Sequence, residues 1–189
     1  MISSWGIRSG LLIGLWLISC SAAAICSGTN ENTAVPLSTP TTDFADNGDG
    51  TVTHVPTGLL WKRCSEGQEW SGSTCTGTES SFDWQGALAH ADEHSFAGHT
   101  DWRLPNVKEL KSIVERRCWS PAINTVIFPA ATSGWFWSAS PYANDTLIPG
   151  ILGAWQVEFH NGSHFITSRR EPSLGVGGYG SVRLVRTDD

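Results

Sequence analysis

The feature that most constrains this chain is an export signal placed ahead of its cysteines. Arg8 precedes an apolar run, Leu11 to Ile18, which is too short to cross a bilayer and reads as the core of a secretory signal. The run stops at Leu17-Ile18-Ser19-Cys20, the pattern of a bacterial lipobox, in which cleavage precedes the cysteine and the new N-terminal Cys20 carries lipid. The competing reading is ordinary cleavage after Ala22 or Ala24, because small residues continue past Cys20.

Export decides how the other cysteines are read. Cys26, Cys64, Cys75 and Cys118 meet an oxidising compartment, where disulfides are the default. Cys64 and Cys75 flank a Gly/Ser-rich loop with too few apolar residues to pack alone, so they form the expected pair. For Cys118, both Cys26 and Cys64 are open as partners, since spacing does not fix connectivity. A zinc site built on these cysteines is disfavoured, because no two of them form a Cys-x-x-Cys unit.

Residues 20–42 are small and polar, with Pro36, Pro40 and threonines, and read as a flexible tether after a signal over 1–19. Residues 43–189 are rich in tryptophan and glycine and have the length of one domain. The formal net charge is −6 and no basic run occurs, which argues against nucleic acid as a partner. Asp46-Asn47-Gly48-Asp49-Gly50 superficially suggests a calcium loop. An EF-hand register would, however, put Ala45 at the first ligand position and Pro56 at the twelfth. A Gly-rich turn leading into a strand over Thr51 to His54 is the preferred reading.

Two helices are expected. One runs from Asp83 to Ala91, with Trp84, Ala87, Leu88 and Ala91 on a core face and serines before it as caps. The other follows Asn106, which forms a capping box with Glu109, and aligns Val107, Leu110 and Val114 on one side. Beyond Cys118 the pattern is strand and loop: Gly134 to Ser138, Ala154 to Phe159, an Asn161-Gly162 hairpin turn, His164 to Thr167, and Ser181 to Val185. The terminal strand is expected to pair with the first.

Several segments together carry a resemblance. They are Asp46 to Thr53, Thr57-Gly58-Leu59-Leu60-Trp61, Asp101 to Leu110, Ile123-Asn124, Phe128-Pro129, Phe136-Trp137-Ser138-Ala139-Ser140 and Val182 to Arg186. In this order they resemble a bacterial domain-of-unknown-function family that includes the C-terminal domain of a collagen-like surface adhesin. The resemblance implies an α+β, C-type-lectin-like fold, two helices packed on antiparallel strands with long loops. The layout of signal, tether and domain is similar to variable lipoproteins targeted by diversity-generating retroelements. Fold alone assigns no function.

The chemistry implied by that fold is tested residue by residue. Calcium-dependent sugar binding needs Glu-Pro-Asn or Gln-Pro-Asp and a later Trp-Asn-Asp; Glu171-Pro172-Ser173 matches only in part and the second motif is missing. Formylglycine-generating activity needs a late cysteine pair, and the last cysteine is Cys118. His90 and His94, one helical turn apart, with His99 after them, suggest a metal cluster, but both helix positions lie off the apolar face and read as surface histidines. Asp101-Trp102-Arg103 reads as a core tryptophan between two ion-pairing residues. No triad, phosphate loop or carboxylate pair stands out, so no catalytic residue, resident metal or cofactor is expected and the chain reads as a binder, not an enzyme.

On that reading, exposed loops and a strand face between Tyr142 and Tyr179 bind an unidentified protein or glycan at the cell exterior. The candidate residues are Tyr142, Asn144, Asp145, Thr146, His160, Asn161, Ser163, His164, Ser168, Arg169, Arg170 and Tyr179, types that stack and hydrogen-bond at modest ordering cost. All are reachable by adenine-directed mutagenesis of an AAC-type codon, as retroelement diversification requires. The lipid places the protein at the outer membrane or cell surface. Cys20→Ala is expected to abolish lipid labelling and leave the precursor unprocessed or released; normal incorporation of a labelled fatty acid into that variant would refute the anchor.

Overall fold

Strand alternation builds the first layer. In the computed structural model, which describes residues 24–142, 153–168 and 178–187, β1 (Phe44–Asp46) and β2 (Thr51–His54) pair antiparallel through the Asp46 to Gly50 turn. Asp46 and Asp49 spend side-chain oxygens on the backbone N–H groups of Gly48 and Thr51, the local bonding of a turn. Gly50 sits at φ +90°, and a Cβ there would run into the Trp70 ring, so the position needs glycine twice over. β3 (Leu59–Lys62) follows and is buried at every residue, because both of its faces are covered. Trp61 enters one hydrophobic cluster with Val52, Leu110, Ile113, Phe128 and Phe136, and Leu60 enters another with Ala87, Trp102, Trp137 and Leu184.

The Cys64–Cys75 bridge forms as expected and clamps a small hairpin, β4 (Gln68–Trp70) and β5 (Cys75–Gly77), inside what reads in sequence as a loop. The helix α1 (Trp84–Asp92) buries Ala87 and Ala91; its cap is Asp83, whose carboxylate accepts the Gly86 N–H at 2.6 Å, and not one of the preceding serines. In α2 (Val107–Ser112) the expected capping box is present, with Asn106 accepting from Lys108 and Glu109 while the Glu109 carboxylate returns to the Asn106 N–H. Val114 is buried but lies past the end of this helix. Trp102 is buried, while Asp101 and Arg103 find separate partners, Arg186 at 2.8 Å and Glu109 at 2.8 Å.

A second sheet, β6 (Trp135–Tyr142), β7 (Gly153–Glu158) and β8 (His164–Ser168), is an antiparallel meander with the Asn161-Gly162 turn between its last two strands. The chain then returns through bridges at Gly180, Ser181 and Val185 to β9 (Val185–Thr187). β9 pairs with β3, giving the order β1-β2-β3-β9, and not with the first strand as the sequence suggests. The edge of β2 that a terminal strand would need is already taken by β1. The described residues thus form an α+β arrangement of antiparallel sheets and two helices.

Residues 24–42, the described part of the stretch that reads as a tether, are bound to the domain. Cys118 is bridged to Cys26, the Thr125 N–H donates to the Ile25 carbonyl at 2.8 Å, and Glu31 pairs with Arg117. Most tightly held is the stretch around Ser38 and Thr39, whose N–H and hydroxyl groups all converge on the buried Glu115 carboxylate. Polar composition suggests solvent, but a carboxylate inside the domain gives these donors a partner better than water. Burial alone would raise the Glu115 pKa; the N–H groups of Arg117, Ser38 and Thr39 and the Thr39 hydroxyl outweigh it and hold the carboxyl below its ordinary 4.5. A depressed folded-state pKa stabilises fully above the unfolded value, and that stability fades as pH falls through the folded one. Glu115→Gln is therefore expected to cost about 2–4 kcal/mol at neutral pH. The variant should also lose less further stability than the parent as the pH drops below about 4.5, read from urea midpoints across pH 6 to 3.

Candidate functional site

The register of the second sheet sorts its side chains onto two faces. Trp135, Glu158, Gln156, Phe165 and Thr167 lie on one face, and Tyr142, Trp155, Val157, Ile166 and His164 on the other. On the first face Trp135 and Phe165 stack at 5.7 Å between centroids and 23° between planes. Both remain over two-fifths exposed, at 45 % and 41 %. The Trp135 indole N–H donates to Glu158 at 3.0 Å, Thr167 donates to Gln156 at 2.7 Å, and the Tyr179 carbonyl accepts from Gln156. Tyr179 is 55 % exposed, and its backbone runs beside Gln156 on this face. On the opposite face Tyr142 meets Trp155 edge-on at 5.7 Å, and Trp155 lies 5.3 Å from His164.

The structure divides the residues proposed from sequence. Tyr142 and Ser168 flank Gly153 at one end of the sheet, whereas His160, Asn161 and Ser163 form the turn at the other, about 17 Å away along β7. That turn is largely structural: Asn161 accepts from the Ser163 N–H, the His160 carbonyl accepts from Ser120, and a Cβ on Gly162 would strike Val114. His160 and His164 are exposed, as expected. Cys20, Asn144, Asp145, Thr146, Arg169 and Arg170 lie outside the described residues. Sequence reasoning missed Trp135 and Phe165 as surface residues; the consecutive apolar pair Phe165-Ile166 in an edge strand was the available signal.

A polar cluster stands elsewhere, and it corrects the reading of His90 and His94 as surface residues. His90 lies in α1 and His94 two residues past its end, yet both turn toward the segment after β3, which leaves them only partly exposed. Glu66, almost fully buried, accepts from His90 Nε2 at 2.7 Å, and His94 Nδ1 lies 3.4 Å from the same Oε2. Its other oxygen takes the buried Lys62 ammonium at 2.6 Å; Lys62 also reaches His94 Nε2 at 2.8 Å and lies over the Phe96 ring. Burial lowers the Lys62 pKa against the opposing pull of Glu66. His94 is likewise lowered by burial, Glu66 opposing and the charges of Lys62 and His90 adding to the effect. The group borders a cleft of about 530 Å³ lined also by Asp49, Gln68, Trp70 and Phe96.

Because the Lys62 and Glu66 charges neutralise one another out of water, removing one is costly and removing both is not. Glu66→Ala is expected to cost about 3–5 kcal/mol, with much of that loss recovered in the double variant Glu66→Ala/Lys62→Met. Additive losses in a denaturation cycle would show that the two charges are not coupled.

No curated protein and no solved structure matches the chain significantly. A family model does match, that of the Lcl C-terminal domain, over residues 50–186, which takes in the polar cluster, the second sheet and the first sheet from β2 through all but the last residue of β9, but neither β1 nor the N-terminal segment bound to Glu115. The chain belongs to the Lcl C-terminal domain family.

Proposed function

We propose that the chain is an exported lipoprotein whose C-type-lectin-like domain binds protein or glycan ligands at the cell exterior, through the Trp135–Phe165 face of its second sheet and the loops beside it. The observation that carries this reading is the exposed stack itself. Two large aromatic side chains hold each other flat at the surface, with Glu158, Thr167 and Tyr179 around them. Rigid aromatic planes edged by hydrogen-bonding groups are the usual anchors of recognition surfaces, because they bury much area at small entropic cost. A sugar ring or an apolar side chain fits such a plane.

The C-type-lectin-like assignment is supported by the order of elements: a strand layer, two helices, a three-stranded meander, and a terminal strand returning to the N-terminal sheet. Membership in a family named for a collagen-like surface protein supports a surface location. Lipid on Cys20 would tie the domain close to the membrane, since only five residues separate it from the bridged Cys26 and the span reaches at most about 20 Å. Diversification by a retroelement would vary the side chains between Tyr142 and Tyr179 around this stack while leaving the scaffold intact. The domain acts as a binder, without catalysis and without calcium.

Screening the full chain against glycans and cell-surface proteins, with and without added calcium, is the direct test. Trp135→Ala/Phe165→Ala is expected to weaken captured ligands at least about tenfold while the melting temperature shifts little, since exposed residues contribute modestly to stability. An unchanged binding profile would remove this face from consideration, and dependence on calcium would refute the calcium-free mode.

A further inference from the structure

We propose that Glu66, His90 and His94 form a binding site for a divalent transition-metal ion of the zinc class, distinct from the aromatic face and open to the neighbouring cleft. The donor set decides the class of ion. Two imidazoles and one carboxylate are the borderline ligands that zinc and its neighbours prefer, whereas calcium and magnesium require more oxygens than this cluster offers.

Geometry supports the assignment. One ligand atom from each residue lies within 4.8 Å of the others. Bonds of about 2.0–2.1 Å in a tetrahedral site put neighbouring donors roughly 3.3 Å apart. His94 Nδ1 and Glu66 Oε2 already stand at 3.4 Å. His90 Nε2, at 2.7 Å from that oxygen, must withdraw by about half an ångström. Its side chain is one-third exposed and has room to do so. Glu66 and His94 both line the cleft, so the fourth position faces a space where water or a ligand atom completes the shell.

The carboxylate is held in place before any ion arrives. The Glu66 N–H donates to the Val182 carbonyl at 2.9 Å, its own carbonyl accepts from Ser80 at 2.8 Å, and Lys62 fixes Oε1. This leaves Oε2 for the metal, an arrangement in which an outer group orients a ligand. His90 is steadied by Phe82 at 4.8 Å and His94 by Phe96 at 6.5 Å. Lys62 also works against loading. A histidine bound through Nδ1 carries its proton on Nε2, and that nitrogen faces the Lys62 ammonium at 2.8 Å, so two donors meet and the lysine must turn away to Oε1 alone. Lys62 thereby sets the affinity from outside the coordination shell.

The test uses the untagged full chain, stripped with chelator and titrated with Zn²⁺ by calorimetry, with Co²⁺ absorption as a second readout and circular dichroism to confirm folding. One equivalent of Zn²⁺ is expected to bind and to raise the melting temperature. His90→Ala and His94→Ala should each weaken binding at least about tenfold, and folded Lys62→Met should strengthen it by removing the donor and the positive charge that oppose the ion. Failure of the folded parent chain to bind one equivalent would overturn the site, as would undiminished affinity in the folded His90→Ala/His94→Ala double variant. Weaker binding by Lys62→Met would overturn the role given to Lys62.

Discussion

The buried guanidinium of Arg183 is the interaction on which the rest of this structure depends. It donates to the backbone carbonyls of Lys62 and Arg63 and to the Ser65 hydroxyl, and its plane lies 4.8 Å from the Phe128 ring centre. Burial lowers its pKa to about 10, against the attraction of Glu79 and Glu66, which leaves it charged at neutral pH. An ion so placed is tolerated only where carbonyls and hydroxyls replace its water. The turn after β3 must therefore keep one shape, and that shape puts Glu66 beneath α1. The last strand and the polar cluster are products of the same contact.

Covalent links secure what the core alone holds less well. The Cys26–Cys118 bridge spans a separation of 92 residues and removes about 4–5 kcal/mol of unfolded-state entropy in the chain-entropy view. The Cys64–Cys75 bridge closes a short loop and keeps the β4–β5 hairpin against the cleft, where Trp70 packs on Arg63. Between them, Glu115 collects the donors of Ser38 and Thr39 and turns a polar segment into part of the domain.

The aromatic face and the polar cluster are joined by one short stretch of chain. Tyr179 accepts from Gln156 on the second sheet, Ser181 exchanges backbone bonds with Trp135 and Trp137, and Val182 accepts from the Glu66 N–H. A shift of the 179–183 backbone would thus be felt at both places. The segment bonds through its backbone, and much of its side-chain surface is buried, so it transmits position while the exposed Tyr179 side chain is free to vary.

Local physics made part of this molecule legible in the sequence. The capping box at Asn106, the helical spacing of Ala87 and Ala91, the Asn161-Gly162 hairpin, the Cys64–Cys75 pair and the core role of Trp102 each depend on residues near one another in the chain or on one side chain's size. The family followed from ordered motifs of the same kind. What lay beyond reach depends on partners distant in sequence. Cys26 meets Cys118, Ser38 meets Glu115 77 residues away, β9 chooses β3, and His94 meets Lys62 across 32 residues. Polarity marked the histidines and the N-terminal segment as solvent-facing; a buried carboxylate opposite each reversed that outcome, because a charge removed from water draws in every donor within reach. Sequence determined most of the local elements and the family, and only the tertiary structure decided which polar residues are buried together.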